Sequence, residues 1–241
     1  MFWRFGGYAN ISSIETLLDK PDVTIEELLD DSDLIQELKQ QNSKLLEFLR
    51  EEPILRKLLQ YVVSEESPPG HELSPRDVEG KQSPGALSFF GKSKSRGRSR
   101  SKSINASGDG ETEDDRKEAQ RKKYAYMACE VLSSEVWSII ESLLEYKDHL
   151  REFWDYLRRP APLDALQAGY FTKVNEVLLD KKTAEMFTFL RSIGGIVPEM
   201  LKHVDCPMIM DLLLKMISLE KHEGGQGVVD VRRSQCLIAN I

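Results

Sequence analysis

Apolar residues in this chain recur every three to four positions, not every two. In "DLIQELKQQNSKLLEFLR", Leu34, Leu38, Leu45 and Leu49 share one stripe, with Ile35 and Leu46 beside it. That period marks a helix with one face in a core. Upstream, "SSIETLLD" and "TIEELLDD" each place a hydroxyl residue three positions before a glutamate, Ser12 to Glu15 and Thr24 to Glu27. Both spacings predict a capping box at a helix start. Pro53 predicts the opening of a further helix, because its missing N–H falls in the first turn. That helix would turn Ile54, Leu55, Leu58, Leu59 and Val62 inward.

The periodic signal stops at residue 65 and returns at residue 120. Beyond that point "RKKYAYMACEVLSSEVWSIIESLLEY" predicts two helices meeting near Ser133-Ser134, with serine capping the second. The second helix would face the core with Val136, Trp137, Ile140, Leu143 and Leu144. "KDHLREFWDYLRR" carries Leu150, Phe153, Trp154 and Leu157 and stops at Pro160 and Pro162. "LDALQAGYFTKVNEVLLD" has a broad apolar face from Leu163 and Leu166 through Tyr170 and Phe171 to Val174, Val177 and Leu178. "KTAEMFTFLRS" ends at Gly194-Gly195, a helix stop. "IVPEMLKHV" and "PMIMDLLLKMISL" follow, the latter with Ile209, Leu212, Leu213, Met216 and Ile217 inward.

These elements predict an all-α fold. Short helices with faces wide enough to pack on two sides favour stacked helices, an armadillo/HEAT-like α-solenoid, although no strict repeat period is visible. Four segments result: a helical part at 1–65, a linker at 66–119, a continuing helical array at 120–221, and an irregular, truncated tail at 222–241. The linker is rich in Ser, Pro, Gly and charge and has few large apolar residues. Such a composition cannot offset its ordering entropy, and disorder is expected there.

Charge and composition then exclude several functions. The net charge of −7 is wrong for a general nucleic-acid binder. No stretch reaches the roughly 18 apolar residues of a membrane span, and no membrane partner is expected. Cys129, Cys206 and Cys236 are isolated, which is neither a disulfide framework nor a zinc pattern, and Cys129 reads as a small core residue. His71, His149, His203 and His222 have no helical metal-pair spacing; His149 and His203 are expected at the surface or its boundary. "EGGQGVVD" lacks the Lys-Ser/Thr of a phosphate-gripping loop. No catalytic constellation, cofactor or metal site is expected.

Two charged features remain. Seven acids and no base lie between Asp22 and Glu37. Glu26, Glu27, Asp30 and Asp31 among them are explained by helix capping and solvation, or offer an acidic surface to a basic partner. The run "KSKSRGRSRSK" alternates serine with Lys92, Lys94, Arg96, Arg98, Arg100 and Lys102. It could attract RNA or a nuclear import receptor, as in a generic helical adaptor, but it lacks base-stacking aromatics. It also suits kinase control. Ser99, Ser101 and Ser103 each follow an arginine by three residues, and Ser67, Ser74 and Ser83 each precede proline. Each phosphate would add about −1.5 to −2 charge and a few would reverse the sign of the run.

The packing segments carry a family resemblance. "MFW" with Phe5, "VTIEELLDDSDLIQELKQQNSKLLEFL", "YAYMACEVLSSEVWSIIESLL", "LREFWDYLRRPAPLDALQAGYFTKVNEVLLDKKTAEMFTFLRS" and "MIMDLLLKMISLE" are similar to the SAPS-domain family. These are Sit4-associated, protein phosphatase 6-type regulatory subunits, and the Ser/Pro/Arg-rich insertion looks most like fungal members. The resemblance covers roughly 1–65 and 120–221. It implies a helical-repeat scaffold that binds a Sit4-type Ser/Thr phosphatase catalytic subunit in the cytoplasm, with possible nuclear access, and catalyses nothing itself. On that reading Phe2, Trp3 and Phe5 either plug the open face of the first helix pair or join the partner surface. The family is longer, with an aromatic-led helix where Val231-Arg232-Arg233 stands here, so a shortened array is expected.

Overall fold

A computed structural model describes residues 12–64 and 113–222. Twelve α-helices, one 3-10 helix and no strand occur among the described residues. The expected all-α class is therefore observed.

The helices fall into threes. The first triplet is α1 (Ser13–Leu18), α2 (Ile25–Asp30) and α3 (Leu34–Lys39). The second is α4 (Ser43–Leu49), α5 (Glu52–Val63) and α6 (Glu113–Leu132). The third is α7 (Trp137–Glu145), α8 (Lys147–Trp154) continued by the 3-10 helix η1 (Asp155–Arg158), and α9 (Ala165–Lys181). The fourth is α10 (Thr183–Ile193), α11 (Ile196–Leu201) and α12 (Pro207–His222).

Counterparts stack on counterparts. First helices pack α1 on α4 and α4 on α7; third helices pack α3 on α6, α6 on α9 and α9 on α12. Second helices pack α5 on α8 and η1 on α11. Lys57 and Tyr61 of α5 both reach Glu26 of α2. Each triplet therefore rests on the one before, as in an armadillo-type solenoid. The starts of α7 and α10 lie roughly 46 residues apart, the length of such a repeat.

The core is continuous through all four repeats. Leu34, Leu38, Leu45 and Leu49 are fully buried as their stripe predicts. Yet they sit on two helices, not one. Gln41 turns the chain at φ 58°, and the Asn42 side chain then caps α4 by accepting from the N–H groups of Lys44 and Leu45. At the centre, Phe171 of α9 is fully buried against the rings of Phe153, Trp154 and Tyr156, with centroids 4.9, 5.2 and 5.2 Å away. Burying an aromatic of this size removes enough apolar area to stabilise by about 2–3 kcal/mol.

The caps hold in part. Thr24 accepts from the Glu27 N–H as predicted, but Ser12 makes no side-chain cap. Glu15, its expected reciprocal partner, instead accepts from Asn42 Nδ2 at 3.4 Å. A tertiary contact has replaced the local one. Ser134 also differs from expectation: its hydroxyl donates back to the Val131 carbonyl at 2.7 Å and ends α6, while Val136 stands at the start of α7 without a side-chain cap. Gly194 and Gly195 end α10 at φ 65° and 66°, a backbone state that favours glycine.

The segment boundary near residue 120 moves. Helix α6 starts at Glu113, so residues 113–119, assigned to the linker from composition, are helical. Charge pairs explain why a polar stretch can be helix: Lys117 and Lys122 each reach a glutamate four residues back, and Arg121 reaches Glu118 three residues back. At the other end α12 runs through His222, one residue into the expected tail.

Candidate partner surfaces

The acids of the α2 region have different partners. Glu26 is half-buried and holds Lys57 Nζ at 2.5 Å while accepting from the Tyr61 hydroxyl. Burial raises its carboxyl pKa, but the Lys57 and Tyr61 hydrogen bonds outweigh this and leave it below the ordinary value. Burial, then Glu26, push the Tyr61 phenol upward. Asp30 takes Lys123 Nζ at 2.6 Å and the Tyr124 hydroxyl at 2.9 Å. The Lys123 bond dominates and lowers its pKa as well. Glu26 and Asp30 thus tie α2 to α5 and α6. Glu27 lies 3.7 Å from Lys20 at an exposed position, and Asp31 accepts from the Asp33 N–H at 2.8 Å. Phe2, Trp3 and Phe5 lie outside the described residues, as do Ser67, Ser74, Ser83, Ser99, Ser101 and Ser103.

Two aromatic surfaces went unread in the sequence. The first runs along the third helices. Tyr126 of α6 is 48% exposed, and its ring centroid lies 6.4 Å from that of Tyr170 on α9. Leu166, one turn before Tyr170, is exposed too, contrary to its place on the predicted apolar face. Lys173 of α9 pairs with Glu130 of α6, and Lys215 of α12 pairs with Asp180 of α9 at 2.7 Å. The same rung of lysine on acid joins α6 to α9 and α9 to α12. The second surface is Trp137, expected in the core and found 57% exposed. It occupies the first turn of α7, where Ile139, Ile140 and Leu143 take the buried positions. The Lys182 ammonium lies 3.8 Å from its ring centroid.

Among the described residues Cys129, His149 and His203 each have a structural partner or setting. No group of His, Cys, Asp and Glu there could hold a metal ion. Cys129 is buried as read, and burial pushes its thiol up to about 11, far from a reactive thiolate. His149 sits at the boundary as expected, 2.8 Å from Glu52. His203 does not: it is buried, and its Nε2–H donates to the Leu157 carbonyl at 2.8 Å, linking the α11 end to η1. No described helix is long and apolar enough to cross a membrane.

A family model for SAPS, described as SIT4 phosphatase-associated protein, matches residues 175–241. The chain is 35% identical over 246 residues to extragenic suppressor of kinetochore protein 1 of Schizosaccharomyces pombe, covering 100% of this chain and 25% of that protein. It is 39% identical over 127 residues to SIT4-associating protein SAP190 of Saccharomyces cerevisiae, covering 53% of this chain and 12% of that one. It is 30% identical over 218 residues to serine/threonine-protein phosphatase 6 regulatory subunit 3 of Gallus gallus, covering 90% and 20%. The chain spans a quarter or less of the length of these relatives. No solved structure matches it. With an all-helical repeat fold and identity that runs from the first helices to the last, the chain belongs to the SAPS family.

Proposed function

We propose that this chain is a non-catalytic regulatory or targeting subunit that binds a Sit4-type, protein phosphatase 6-like Ser/Thr phosphatase catalytic subunit. One observation carries the reading: identity to relatives named for SIT4 association and for phosphatase 6 regulation extends over the helical repeats themselves. A stacked array suits that task. It presents wide, preorganised faces, so binding a folded partner costs little ordering entropy. Glu27, which is exposed, and Asp31, which is half-buried, are the candidate acids not tied to α5 or α6, and they are offered to a basic patch of that partner, with Phe2, Trp3 and Phe5 as the aromatics to test beside them. The compartment that fits is the cytoplasm, with access to the nucleus.

Affinity purification of the tagged full chain from cells carrying such a phosphatase tests the proposal. The catalytic subunit should be recovered, and recovery should survive deletion of residues 92–103. A chain that recovers none, beside a full-length relative that does, overturns it.

A further inference from the structure

Trp137 and its neighbours form a cation site that the chain already fills with one of its own side chains. The Lys182 ammonium rests on the indole at 3.8 Å from the centroid, with Glu141 at 3.5 Å and Glu185 at 3.8 Å. Its side chain is only 15% exposed. An aromatic face flanked by carboxylates attracts ammonium and guanidinium groups through the ring quadrupole and simple charge.

A groove of about 460 Å³ shares Lys182, Glu141 and Glu185 with that site and opens between α7 and α10. The two first helices are less closely packed here than the third helices α9 and α12 behind them. Leu144 and Ala184 supply apolar wall, and Glu145 and Lys147 supply further charge. Lys182 is matched by two carboxylates, so it does not repel an incoming cation as a free lysine would. Glu145 has no ion pair among the described residues. Three carboxylates therefore stand against two ammonium groups. A tryptophan more than half exposed beside such a groove is the residue type that most often anchors an interface.

We propose that the α7–α10 groove binds an apolar-basic segment of a partner protein, with one lysine or arginine on Glu145, another against the exposed part of the Trp137 ring, and an apolar side chain between them on Leu144 and Ala184. This goes beyond the phosphatase reading and does not depend on it, because its test contains no phosphatase.

The probe is a short Trp-free peptide of alternating Leu and Arg, titrated calorimetrically into the full chain, with a twin carrying Glu for Arg. Binding of the Arg peptide should weaken about tenfold in Trp137→Ala and measurably in Glu145→Gln. The Glu twin should not bind, and Tyr126→Ala, on another face, should bind as the parent does. Equal binding by Trp137→Ala, or an equal loss in Tyr126→Ala, overturns the assignment. Two other results also overturn it. Self-association abolished by Trp137→Ala would give the groove to a second copy, and tighter peptide binding after deletion of 92–103 would give it to this chain's own basic run.

Discussion

Glu26 shows how one side chain changes meaning between sequence and structure. In the sequence it is one of seven acids without a base; in the fold it joins α2 to α5 through Lys57 and Tyr61. Its folded pKa lies below the unfolded value, so its stabilisation is present above the ordinary carboxylate range. It is lost as pH falls through the lowered pKa. Glu26→Gln should therefore cost about 1–2 kcal/mol near neutrality, since the Tyr61 hydroxyl loses a charged acceptor. Urea unfolding of both proteins at neutral pH and at about pH 3 checks this: the gap should narrow in acid, and a gap independent of pH would refute the link. Cys129 was legible because a small residue inside an apolar run has little choice but burial. The Ser12 cap was not, because Asn42, distant in sequence, competes for Glu15.

At the scale of helices, the two tryptophans described make a contrast. Trp154 of α8 is buried edge-on against Phe171, whereas Trp137 of α7 lies mostly in solvent. Trp154→Ala should cost about 3–5 kcal/mol by leaving a cavity, and Trp137→Ala under about 1 kcal/mol, the worth of an exposed cation–π contact. Thermal melts of the two variants measure the difference; equal losses would contradict the placement of α7. The period of α7 put Trp137, Ile140 and Leu144 on one face, and Ile140 is indeed buried. A helix's first turn, however, often projects past the helix it packs against. Which side of Trp137 is covered depends on Lys182, the residue between α9 and α10, which no local pattern specifies.

Across the molecule, the insertion enters between the second and third helices of one repeat. Its entry point is secured from both sides: the Ser64 carbonyl accepts from Arg121 of α6 and from Gln167 of α9, each at 2.8 Å. From Arg121 back to the start of α6 at Glu113 is about 12 Å at the rise of an α-helix. A linker of about ten Gly and Ser residues spans that distance with slack. Replacing 65–112 by such a linker should leave the helical circular dichroism of the array intact. The melting temperature should hold or rise slightly, because a shorter loop costs less entropy to close. A collapse of the melt would show that the second repeat needs the insertion to assemble.

The sequence by itself determined the helices, most of their inward faces and the interval without apolar period, because burial of a stripe every 3.6 residues is a local demand written in neighbouring side chains. It also held the family likeness, which resides in those packing segments. The grouping into threes, the stacking of counterpart helices and the outward turn of Trp137 came only with the tertiary structure. Leu34 and Leu45 can be recognised as buried without knowing against what. Stacking order depends on which faces meet across tens of residues, and equivalent helices such as α6 and α9 share a position in the array while differing in sequence. The same cause separates Glu26 and Asp30 from Glu27 and Asp31: an acid becomes a strut only when Lys57, Tyr61, Lys123 and Tyr124 are brought to it by the packing of other helices.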